Sequence, residues 1–128
     1  MDLHHTRQLL HQDLDRSQPR EALVLVLEAA LELVSLPDNN FDWSSWTGQE
    51  QASAELRGLI ATLQAGRLPE RLSVAVLFAV TGPLQEVSLS SGWAQTFLKV
   101  ADRFDEVQAL LWQLPAGQIC STSTPSCR

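Results

Sequence analysis

The chain has 128 residues, 45% apolar and 19% charged, a balance that suits one globular domain and is far from that of a disordered chain. Fifteen acids against nine bases give a formal charge of −6, and the arginines at 57, 67 and 71 are interleaved with Glu55 and Glu70. Such a surface repels phosphate, so nucleic acid is excluded as a partner.

The polar, mixed-charge N-terminal stretch MDLHHTRQLLHQDLD lacks the apolar core of a secretory signal. The longest apolar run, Ala22 to Val34, is short for a bilayer and is broken by Glu28 and Glu32. A cytoplasmic protein with no membrane partner is therefore expected.

In chain order, Leu3, Leu9, Leu10 and Leu14 recur among polar residues as on an amphipathic helix. His4, His5 and His11 decorate it. No carboxylate or thiol falls at ligand spacing within that turn, so they read as solvent-facing histidines and not as metal ligands. Ser17 has the character of a helix cap, with Pro19 and Glu21 suited to the first turn that follows. The segment ALVLVLEAALELV (22–34) is apolar on nearly every side. A helix of that kind is buried nearly all round, so residues 20–34 are expected to form the central helix.

The loop SLPDNNFDWSSWT (35–47) carries Phe41, Trp43 and Trp46, which either anchor it to the core or form a stacking platform. Thr47 and Glu50 have capping-box spacing. Ala52, Leu56, Leu59, Ile60 and Leu63 then mark the core face of a helix that Gly66 ends as a left-handed cap. Gly58, inside this helix, implies close packing against a neighbour.

Residues 73–80 and 84–90 fit either two strands joined across Thr81-Gly82-Pro83 or helices. Pro83 in a first turn, Glu86 near the positive end of the dipole and Gly92 at a helix end favour helix. From Trp93 the apolar positions Phe97, Val100, Ala101, Phe104, Val107, Leu111 and Leu114 describe one long helix, which stops before Pro115. Residues 1–114 thus form one domain. Residues 115–128 are expected to be a flexible Ser/Thr/Pro-rich tail whose cysteines, Cys120 and Cys127, are simplest as free thiols.

Catalytic machinery is sparse. There is no Gly-x-Ser-x-Gly elbow, phosphate-binding loop or dinucleotide fingerprint, and all three histidines lie in the first eleven residues. No cofactor or resident metal is expected. The fragments FDWSSW (41–46), LFAVTGPLQEVSLSSGW (77–93) and FLKVADRFDEV (97–107) resemble a group of small, uncharacterised bacterial proteins. In that group a Trp-Ser-Ser-Trp-like loop precedes an LFA-x-TG-x-LQE segment ending in Gly-Trp. The resemblance covers about residues 38–107 and implies a bacterial, intracellular helical domain. It carries no activity, substrate or catalytic residue, and Val80 stands where the pattern leads one to expect proline.

The expected structure is all-α: five or six helices packed as a bundle around the 20–34 helix. Three functional readings fit. The first is a non-enzymatic protein-binding or adaptor domain, its partner another protein or a second copy (a homodimer), using Trp43, Trp46 and the 85–93 surface. The second is a ligand pocket walled by Trp43, Trp46 and Trp93, with Gln85, Glu86 and Ser88 as polar contacts. The third is a metal-assisted enzyme that gathers Asp42, Glu86, Asp102 and Asp105.

Overall fold

Pro19, with its fixed φ and missing N–H, sits at the first position of the helix around which the others pack. The computed structural model describes residues 3–11, 17–36, 39–41, 46–79 and 82–112. Within these the elements run α1 (His4–His11), α2 (Pro19–Val34), α3 (Gln49–Gln64), α4 (Arg71–Ala75), a 3-10 turn (Val76–Phe78), α5 (Pro83–Ser91) and α6 (Ala94–Trp112). The domain is an all-α bundle of five helices plus the one-turn α4, with no strand among the described residues.

The expectation for α2 holds. Ala22, Leu23, Val26, Leu27, Ala29, Ala30, Leu33 and Val34 are all buried, and α2 packs against α1, α3 and α6 and touches α5. Its cap differs from the expected one: Gln18, not Ser17, occupies the N-cap position, and its side chain makes no capping bond. In α3 the buried residues are Ala52, Ser53, Leu56, Ile60 and Leu63, close to the expected face.

The start of α3 also differs. Gly48 is the N-cap, and the reach-back runs from Gln51, whose Oε1 accepts from the Thr47 N–H at 2.7 Å and the Thr47 hydroxyl at 3.0 Å. Glu50 therefore does not complete a capping box. The far end is a Schellman motif: Gly66 has φ +87°, its N–H donates to the Leu63 carbonyl, and the Arg67 N–H donates to the Thr62 carbonyl.

Gly58 is exposed, and a Cβ placed on it would meet nothing, so close packing does not account for it.

Residues 71–78 and 83–91 are helical, not the strands of a hairpin. By length and composition the Arg71–Ser91 stretch is apolar enough to cross a membrane, a feature the sequence alone did not bring out. It is not one continuous helix, however. After the 3-10 turn, Ala79 is extended (ψ 158°) and a new helix opens at Pro83. Half of the stretch is buried within the bundle.

Phe78 at the end of the 3-10 turn stacks on Phe104 of α6, with centroids 4.5 Å apart and planes 13° from parallel. Arg71 reaches Gln108 Oε1 at 3.3 Å beside it. Along α6, Phe97, Val100, Phe104 and Val107 are buried, as the spacing predicts. Leu14, Leu114 and the 115–128 tail with Cys120 and Cys127 lie outside the described residues.

Candidate functional site

The region singled out by the sequence is built on α5. Gly82 precedes it with ordinary backbone angles, yet only glycine fits, because a Cβ there would overlap the Val76 carbonyl oxygen. Pro83 then takes the first helical position and Glu86 falls in the first turn, both as expected. The helix closes at Gly92, whose φ of +89° is the left-handed conformation in which glycine carries no penalty.

Ser88, expected as an open polar contact, lies on the inner face of α5. Leu84, Val87 and Ser88 point inward, while Leu89 is 64% exposed. Ser88 is fully buried, and its hydroxyl donates to the Gln85 carbonyl at 2.8 Å, one turn back. It is a satisfied core hydroxyl turned away from solvent. Gln85 and Glu86 are half-buried, so the polar ledge shrinks to these two side chains.

Both described candidate tryptophans are anchors. Trp46 is 3% exposed and donates its indole N–H to Glu55 Oε1 of α3 at 2.8 Å. Trp93 is 8% exposed and donates to Asn39 Oδ1 at 2.7 Å. Phe41 is half-buried against the core. Trp43 lies outside the described residues, as does Asp42.

The loop and the 85–93 region do meet, through polar residues that the sequence reading did not single out. Asn39 ties Trp93 to the Leu33 carbonyl at the end of α2, and the Asn40 N–H donates to Ser91 Oγ at 2.9 Å. No periodicity marks an asparagine for such a role; only its place in a short-range polar loop hints at it.

Beside this junction lies a shallow depression of about 380 Å³, lined by residues that include Ser88, Leu89, Trp93, Ala94 and Thr96. Of the candidate tryptophans described, Trp93 borders it and Trp46 does not. Among the described residues no group of three His, Cys, Asp or Glu side chains is placed to hold a metal. Asp102 and Asp105 are exposed on α6. The carboxylates proposed to converge therefore show no such cluster among the described residues.

A second polar cluster, which sequence reasoning missed, joins α1 to α2. Glu32 accepts the N–H of His5 (2.8 Å) and of Thr6 (2.9 Å), the Thr6 hydroxyl (3.0 Å) and a bond from His5 Nδ1 (2.6 Å). Glu32 thus caps α1 from the neighbouring helix, and α1 has no acid of its own in its first turn. His5 Nε2 lies 3.4 Å from Glu28 Oε1. His4 and His11 are exposed as expected, but His5 is engaged rather than solvent-facing. The signal was present: two acids four apart on an otherwise apolar, buried helix require donors.

Burial raises the Glu32 carboxyl, while the hydrogen bonds from the backbone and side chains of His5 and Thr6 lower it further, so that it titrates below the ordinary carboxylate value.

The fold and its polar clusters define a small all-α bundle domain. No family model matches the chain, and neither a curated protein nor a solved structure matches it.

Proposed function

We propose that the chain is a non-enzymatic protein-binding domain that docks another protein, or a second copy of itself, through an apolar face at the α5–α6 junction. The observation that carries this reading is the pair Leu89 and Leu98, 64% and 54% exposed. Leu89 lines the depression, and Leu98 lies one turn along α6 from Ala94, another lining residue. One exposed leucine is ordinary. Two beside a single depression, rimmed by Gln95 and Thr96, give the apolar centre and polar edge typical of interfaces. Covering a leucine side chain contributes about 1.5–3 kcal/mol, which gives a partner a reason to bind there.

This surface adjoins the 85–93 region expected from the sequence. Trp93 borders it, and the indole N–H groups of Trp93 and Trp46 are already bonded within the domain. The same internal bonds weigh against a tryptophan-walled ligand pocket, in which Trp46 would have to be accessible. A cytoplasmic, bacterial setting belongs to the same proposal and rests on the resemblance of residues 38–107.

The test is sedimentation velocity from low micromolar to near-millimolar chain, with crosslinking in cells followed by identification of the adduct. Wild type is expected to self-associate or to yield one defined adduct. The Leu89→Lys, Leu98→Lys double variant should lose that association while keeping its helical circular dichroism. A monomeric, adduct-free wild type, or an adduct indifferent to both lysines, overturns the reading.

A further inference from the structure

α1 has only eight residues, too few to hold a helix in water unaided, so its persistence depends on its attachment to the rest of the domain. Its buried contributions are Leu9, fully covered, and Thr6, whose hydroxyl reaches both Glu32 Oε1 (3.0 Å) and the Ala29 carbonyl (3.2 Å). Leu3 and Leu10 pack against the core, the His5 and Thr6 N–H groups donate to Glu32, and a further link is ionic. The His5 ring lies across two successive turns of α2, with Nδ1 2.6 Å from Glu32 Oε2 and Nε2 3.4 Å from Glu28 Oε1. Both ring nitrogens therefore face carboxylate oxygens.

A neutral imidazole has one N–H and one lone pair. In this position one nitrogen would donate, and the other would turn its lone pair toward an anion. The doubly protonated ring donates from both nitrogens and places a positive charge between two negative ones. We propose that His5 is a proton-operated latch: with both nitrogens protonated it bridges Glu28 and Glu32 and holds α1 on α2, and loss of that proton lets α1 open. Opening uncovers Leu9 and the apolar α2 surface beneath it, so the latch sets how much buried surface the domain shows at a given pH.

The surroundings fit such a device. The His5 side chain is 39% exposed, so its proton exchanges with solvent. His4, on the same helix, meets it edge to face at 5.3 Å and opposes the latch only when itself charged. Glu28 and Glu32 are the titratable partners from α2. Among the described residues, α6, the other helix packed on α1, gives His5 no hydrogen bond or ion pair. The sign follows from this arrangement. With both nitrogens protonated the ring donates to Glu32 and faces Glu28 as a cation, and the neutral ring can donate to only one of them.

The test is hydrogen exchange of the full chain at pH 5.5 and 8.5, corrected for intrinsic exchange, comparing α1 amides with those of α3. For a partly exposed ion pair the α1 opening constant should rise on the order of fivefold at the higher pH, with α3 unchanged. His5→Gln, which keeps one donor but does not titrate, should abolish the pH dependence, and His4→Gln and His11→Gln should retain it. Long-range proton–nitrogen spectra of the wild-type ring provide a check independent of any variant. Proton loss from His5 should coincide with α1 opening. An opening constant flat in pH, a dependence that survives His5→Gln, or ring deprotonation that leaves α1 exchange unmoved overturns the proposal.

Discussion

The indole N–H of Trp93 donates to Asn39 Oδ1 at 2.7 Å, and the Asn39 amide donates in turn to the Leu33 carbonyl at 2.7 Å. One loop side chain thus satisfies a buried aromatic donor at the start of α6 and a carbonyl at the end of α2. Asn39→Ala leaves the Trp93 indole N–H unpaired where water enters poorly, while the Leu33 carbonyl keeps its bond from the Leu36 N–H. The expected cost is about 1–3 kcal/mol in urea unfolding, with the slope unchanged. Because Trp93→Phe removes the donor itself, the double variant should cost less than the sum of the two single changes. Strict additivity would mean that the bond contributes nothing.

Glu32 is expected to shape the acid limb of stability. Its carboxyl is lowered in the folded state from a reference of 4.5. A depressed group contributes in full above its unfolded value and loses that contribution as pH falls through the lower folded value. Glu32→Gln is therefore expected to remove about 1–3 kcal/mol at neutral pH, because it cannot accept all four bonds as an anion does. It should also flatten the stability profile below pH 4.5. An equally steep acid limb in the variant would show that other carboxylates govern it.

Two glycines separate backbone cost from steric need. Gly58 is exposed in the middle of α3, with open space where a Cβ would go, so Gly58→Ala should stabilise the fold by about 0.5–1 kcal/mol. Gly82→Ala should destabilise it by about 1–3 kcal/mol, since the new methyl must push back the Val76 carbonyl oxygen. Thermal midpoints that move the same way for both would contradict the local geometry.

Most of the fold was legible in the sequence because helices bury faces that repeat at 3.6 residues. The faces Ala52–Leu56–Ile60–Leu63 and Phe97–Val100–Phe104–Val107 appear in the structure as the spacing predicts, and Gly66 and Gly92 end their helices as positive-φ residues. What periodicity does not encode is the rotation of a short helix. On nine-residue α5 it misplaced Ser88, expected as an open polar contact and found inside. Partners of polar groups were equally hidden. The Trp93–Asn39 bond spans 54 positions and the His5–Glu32 bond 27, and neither distance leaves a local pattern. Within the region that the sequence singled out, Trp46 and Trp93 are anchored inside the domain and Leu89 is exposed.

The stack of Phe78 on Phe104 predicts a difference between local and global unfolding. Phe104 is 1% exposed in the middle of α6, so Phe104→Ala opens the central core and should cost about 3–5 kcal/mol globally. Phe78 ends a 3-10 turn whose neighbour Val76 is 54% exposed, and with Val74 and Leu77 it fastens the 71–79 segment to the bundle. Phe78→Ala should therefore act first on that segment, speeding proteolysis and amide exchange there before the cooperative transition moves. The double variant should show a coupling of about 0.5–1.5 kcal/mol for the ring pair. If Phe78→Ala accelerates exchange evenly through α2 and α6 instead, the 71–79 segment belongs to the same cooperative unit as the central helix.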